Sequence, residues 1–234
     1  MNSRILALLA AGLLAAPTVQ AVPVTWSVHG IVDMIGGDDL APGIAVGDAF
    51  SLRVHFDTDT PVSNPAGCGM GGPGTLCRHN NAPTATQYFS DIVIGSFSSA
   101  EFRSNVATNN AITIRNNADL GGTIVDGIGF GSRDGAAVGT AGESINVQVG
   151  FRGPEDLTII TDGRVIPADP HPGLVGLNQR FFEVCHSSDG RGCDVAYVSG
   201  AITSVARVPE PGAFALLGLG LAGLGLVRRR VAQA

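Results

Sequence analysis

The chain has 234 residues, of which 15% are charged and 6% aromatic, with 33 glycines and 13 prolines. All 14 cationic side chains are arginines, so catalysis through a lysine base or a lysine Schiff base is excluded. The net charge is −6, and between Val22 and Arg207 ten arginines face nineteen acidic residues without a basic stripe, which argues against nucleic acid or anionic lipid as partner.

Met1 to Ala21 reads as a secretory signal peptide. Arg4 supplies the positive charge, Ile5 to Ala16 the apolar stretch, and Val19-Gln20-Ala21 a small-residue cleavage site ending at Ala21. Removal of residues 1–21 leaves a body, residues 22–207, of a length suited to one domain with its own core.

Within that body, short apolar alternations are separated by turn residues. Val24 to Val32 places Val24, Trp26, Val28 and Val32 on one face and Thr25, Ser27 and His29 on the other. Gly36 to Gly43 is a loop. Phe50 to Phe56 repeats the pattern, with Phe50, Leu52, Val54 and Phe56 inward and Ser51, Arg53 and His55 outward. Asp57-Thr-Asp-Thr-Pro ends that strand. Asp57 and Asp59 with their threonines form an oxygen-rich string that could take Ca²⁺, but the downstream glycine and bidentate glutamate of an EF-hand loop are missing. A turn in which these side chains bond their own backbone is the preferred reading.

Residues 62–86 read as one long irregular loop carrying Cys68 and Cys77. Strands resume near Tyr88 to Phe97, Ala111 to Arg115, Gly122 to Phe130, Ser144 to Phe151 and Asp156 to Ile160. Pro167 to Pro172 is a break and Leu174 to Arg180 a short helix. Phe181 to Cys185 and Asp194 to Val205 are the last strands. Cys185 and Cys193 bracket a second flexible turn. The four cysteines allow three pairings, and the local one, Cys68 with Cys77 and Cys185 with Cys193, is the simplest. Neither pair has the spacing of a structural zinc site, so no metal or other cofactor is expected. Many short strands without crossover helices point to an all-β fold, an antiparallel β-sandwich of jelly-roll type, with an immunoglobulin-like sandwich as the alternative.

No catalytic motif stands out. Gly127-Ile-Gly-Phe-Gly-Ser lacks the strand-to-helix context of a phosphate loop. Asp91, Glu101, Asp126, Glu143 and Glu183 could form the carboxylate pair of a glycosidase only if two of them converge in a cleft. Asp126 falls in phase with Ile124, Ile128 and Phe130, which suggests a bulge nearby. His29 and His55 could face each other across paired strands. Trp26 is assigned to the core rather than to a sugar-stacking surface. The expectation is a protein that is not an enzyme.

The tail is the most specific feature. Pro209-Glu210-Pro211 is stiff and extended. Ala213 to Val227 is fifteen apolar residues, roughly 22 Å as a helix, a short transmembrane span. Arg228, Arg229 and Arg230 then hold the cytoplasmic side. Residues 208–230 resemble the PEP-CTERM sorting domain of Gram-negative bacteria. The resemblance implies recognition of Pro209, Glu210 and Pro211 by exosortase, a membrane-embedded peptidase. It also implies a precursor anchored at the inner membrane and a product at the cell surface or outside the cell, in species that make exopolysaccharide and biofilm. Molecular activity is left open. A non-enzymatic, exopolysaccharide-associated protein is the first reading. A lectin-like glycan-binding module, with or without Ca²⁺, and a polysaccharide-active enzyme are the alternatives.

Overall fold

The computed structural model describes residues 23–37, 43–64, 68, 74–79, 87–102, 111–119, 124–134, 144–154, 160–177, 179–188, 193 and 195–209. The described strands are β1 (Pro23–Gly37), β2 (Ala49–Asp57), β3 (Thr75–His79), β4 (Tyr88–Ile94), β5 (Phe97–Phe102), β6 (Ala111–Asp119), β7 (Ile124–Asp134), β8 (Ser144–Pro154), β9 (Gln179–Ser187) and β10 (Ala196–Arg207). They form one antiparallel sheet in the order β3-β6-β7-β8-β9-β10-β1-β2-β4-β5. The sheet curls over so that its two halves face each other, giving the sandwich-like all-β core that the alternation predicts.

Aromatic contacts close the curl. Trp26 on β1 lies 5.2 Å from Phe56 on β2 and 5.3 Å from Phe130 on β7, both edge-on. Phe56 and Phe130 themselves stand 5.0 Å apart, although four strands separate β2 from β7 in the sheet. Trp26 is fully buried, and its indole N–H donates to the Ala168 carbonyl at 2.9 Å, so its polar atom is satisfied in the core. Trp26→Ala is expected to cost about 3–5 kcal/mol through the cavity it leaves. A lowered denaturant midpoint at unchanged slope is the readout.

Phe50 on β2 packs differently. It stacks on Phe182 of β9 at 4.5 Å and lies flat across Gly30 and Gly200. A Cβ at Gly30 would come 2.3 Å from the Phe50 ring, and one at Gly200 2.6 Å. The two glycines therefore make the space that lets this ring bridge β1 and β10.

Several local expectations need correction. The loop 62–86 contains β3, an edge strand paired to β6, whose inward residues Thr75, Cys77 and His79 are buried. The stretch Tyr88 to Phe97 is two strands, split by a turn with Gly95 at φ 55. The short helix is a 3-10 turn at Pro172–Gly176, and Gln179 and Arg180 already belong to β9. Of the expected strand Asp156 to Ile160, only Ile160 is among the described residues, buried and irregular.

The cysteines pair locally, Cys68 with Cys77 and Cys185 with Cys193. The first bridge is buried in the core and fastens β3 to the segment before it. His79 adds a second tie, its two ring nitrogens each 2.9 Å from a carbonyl oxygen, of Thr60 and of Gly163.

Candidate functional site

The outer face of the sheet carries an unusual row of absent side chains. On β7 the inward positions are Ile128 and Phe130, so Gly127, Gly129 and Gly131 all point outward. On the neighbouring β8, Gly150 does the same. The register arranges them in three ladders. Gly127 sits between Arg115 of β6 and Arg152 of β8. Gly129 and Gly150 sit side by side between Thr113 of β6 and Phe181 of β9, and Arg78 of β3 lies beyond Thr113. Gly131 sits between Ala111 and Gln148.

Gly129 and Gly131 form the floor of a groove of about 250 Å³. Its walls carry Arg78, Thr113 and Arg115 on one side and Asn146, Gln148 and Arg152 on the other. The Phe181 ring lies over Gly150, where a Cβ would come within 2.5 Å of it, and supports the Arg152 guanidinium, 5.2 Å from the ring centroid.

The groove is positively charged. Arg115 and Arg152 flank the same glycine, two strand spacings or roughly 10 Å apart at the backbone. Burial first, and then the Arg152 charge, pull the Arg115 pKa down to about 10. Among the described residues neither arginine forms an ion pair. The Nε of each is buried without an acceptor. The sequence shows this cluster only indirectly. Its arginines come from three strands and sit far apart in the chain, and the available signal is the alternation of glycines at 127, 129 and 131 on one strand face.

The predicted site residues do not converge. His55 is held by Thr25 Oγ1 at 3.0 Å and Ser90 Oγ at 2.8 Å, and stacks on Tyr88. His29 meets Ser27 Oγ at 2.8 Å and pairs in register with Ser51, so the two histidines do not face each other. Asp57 Oδ1 accepts from the Asp59 N–H at 2.9 Å, which makes the pair a self-bonded turn. Asp91, at a bulge with φ 49, pairs with Arg53 at 3.1 Å on the surface. Asp126 is buried and accepts from the Asn117 N–H at 2.5 Å. The bulge expected near Asp126 lies across the ladder, where Asn117 has φ 49 and the β6–β7 register shifts. The side chains of Glu101 and Glu143 lie outside the described residues. Glu183, Cys185 and Cys193 lie together, but the two sulfurs are bonded to each other, which removes the thiolates a metal would need.

Glu183 has its own consequence. It is half-buried on the outer face of β9, and the Cys193 sulfur beside it, at 3.7 Å, has no proton to donate. Burial raises its pKa above the ordinary 4.5. As pH rises from that value through the elevated one, the unfolded chain releases its proton first, so stability falls across the interval and stays lower above it. Glu183→Gln is therefore expected to raise the melting midpoint at pH 7. Below pH 4.5 the difference from the parent should vanish. An equal difference at both pH values would contradict this.

The last feature is where the chain leaves the sheet. β10 runs antiparallel to β1 as far as Trp26 opposite Arg207, and the Val208 N–H still donates to the Thr25 carbonyl at 2.8 Å. Pro209, exposed, has no N–H with which to continue. Residues 207–230 match the model of the PEP-CTERM protein-sorting motif. The chain carries a PEP-CTERM sorting motif. No curated protein and no solved structure matches the chain.

The PEP-CTERM motif makes this an exported protein, processed by the membrane protein exosortase. Pro209 is the first motif proline and the last described residue. Ala21, Glu210, Pro211 and Arg228 to Arg230, like the apolar span, lie outside the described residues. Among the described residues no helix is long and apolar enough to cross a membrane. β1 starts at Pro23, beside the end of β10, so the start of β1 and the end of β10 lie together at one end of two adjacent central strands.

Proposed function

We propose that this protein is a non-catalytic component of the cell surface or of the extracellular polysaccharide matrix, delivered there by exosortase. The matched sorting motif, beginning where the β10 ladder stops, is the observation that carries this reading. Three further features support it. Both disulfides suit an oxidising compartment. The start of β1 and the end of β10 lie side by side, so the sorting motif follows directly from a central strand of the folded body. Of the carboxylates weighed for catalysis, Asp57 is spent on its own turn, Asp126 on the backbone at a bulge and Asp91 on a surface ion pair.

The glycan-binding alternative gains support from the arginine-lined groove. Its Ca²⁺-dependent form does not, because Asp57 is occupied within its own turn. The test of matrix association is retention. Cells that make exopolysaccharide should hold the processed protein in the matrix fraction, and an otherwise identical strain lacking the polymer should shed it into the culture fluid. Equal shedding by both strains would overturn the association.

A further inference from the structure

We infer that the glycine-floored groove on the outer face of β6, β7 and β8 is a binding site for an acidic saccharide, with the carboxylate of a uronate unit held between Arg115 and Arg152. The inference deepens the matrix reading, but it is a property of the purified protein. A failure here leaves sorting and matrix placement untouched.

Two independent features point to a ligand. The first is the floor. Glycine inside a strand weakens it, because the unfolded chain has more freedom to lose and the strand gains no side chain to pack. At Gly129 a Cβ would have ordinary contacts only, 3.8 Å from the Val149 carbonyl and 3.9 Å from Arg115 Nη1. At Gly131 the nearest atom would be Gln148 Cγ at 3.9 Å. No positive φ occurs at either. Neither fold geometry nor crowding requires glycine at these two positions, and their effect is to keep the trough open.

The second is the uncompensated charge. Two partly buried guanidiniums line the groove, Arg115 reaching toward Gly129 and Arg152 resting on Phe181, with no carboxylate partner among the described residues and with both Nε atoms buried without an acceptor. An anion placed between them supplies the missing acceptors and relieves the repulsion. Arginine's planar fork matches a carboxylate in bidentate geometry. The remaining walls select a polyhydroxylated body around that carboxylate. Thr113, Asn146 and Gln148 offer donors and acceptors at the level of sugar hydroxyls, and Arg78 stands exposed at the rim. Asp33 and Glu183 line the adjoining depression, which also reaches Arg152 and Phe181. The volume suits one sugar ring of a longer chain.

The test uses the full chain purified in nonionic detergent, with trigalacturonate, maltotriose and inorganic phosphate as probes in titration calorimetry. Trigalacturonate should bind, more weakly as salt is raised, and maltotriose should not. Arg115→Gln and Arg152→Gln should each weaken binding by about tenfold or more, because each removes a charge-assisted hydrogen bond. Gly129→Val should abolish binding by filling the trough. Arg78→Gln, at an exposed position, should weaken binding severalfold with folding unchanged, so that a misfolded groove variant does not decide the matter. Circular dichroism and melting midpoints check each variant. Absence of trigalacturonate binding by the folded parent protein would overturn the inference. So would unchanged affinity in folded Gly129→Val, or phosphate binding as tight as trigalacturonate.

Discussion

A chain cut before Ala196 should fail to fold, while one cut after Pro209 should melt like the body of the full chain. β10 is the last strand of the body in sequence but lies near the middle of the sheet, hydrogen-bonded to β9 on one side and β1 on the other. Its loss strips both neighbours of their partners at once. It removes the buried side chains of Val198 and Ile202 and the carbonyl of Ile202 to which Arg180 Nε donates at 2.7 Å. It also uncovers the Phe50 ring, which rests against Gly200. A domain is stable by only about 5–15 kcal/mol, and losing a central strand exceeds that. Circular dichroism and protease resistance are the readouts. A cooperative melt in the shorter product would contradict the topology.

This arrangement bears on export. β1 is made first and β10 last, and neither can complete its ladder without the other. The sheet is therefore finished only when residues up to 207 have arrived in the same compartment. Pairing of distant segments is intrinsically slow, which favours a chain that stays unfolded through translocation and closes afterwards.

The second large effect concerns the tail. Replacing Pro209, Glu210 and Pro211 with alanines should stop processing and leave the precursor in the membrane fraction. Its body should remain folded and its disulfides formed. The prolines keep the segment extended and out of both the sheet and any following helix, which is the form a peptidase can grip. Pro209 already stands clear of the ladder. Immunoblots of membrane, surface and culture-fluid fractions read the outcome. Processing and location identical to the parent would remove the sorting claim.

Much of the fold was legible where apolar residues alternate without interruption. β1, β2 and β8 have the faces that their sequences assign, and both disulfides join the locally adjacent cysteines. Alternation is silent where polar residues point inward. β3 buries Thr75, Cys77 and His79, so its inward face looks like loop, and glycine, proline and asparagine around it reinforce that impression. β4 and β5 read as one strand in the sequence because Gly95 is the one strong turn signal between two apolar runs. Bulges at Asp91 and Asn117 shift the alternation by one residue; the in-phase Asp126 signals the second, whereas nothing in the period-two pattern signals the first. The groove was invisible for a different reason. A count of charges along residues 22–207 shows an acidic chain, whereas the sheet brings Arg78, Arg115 and Arg152 to one face. The alternate glycines were in plain view, but glycine at every second position says only that one face of a strand is bare.

The most direct measurement is the intact mass of the protein recovered from cytosolic, membrane and culture-fluid fractions of its host. The mature species should begin at Val22, lack the arginine cluster, and weigh four hydrogens less than the fully reduced chain because of its two disulfides. A species of all 234 residues, recovered from the cytosol with four free thiols, would contradict the account.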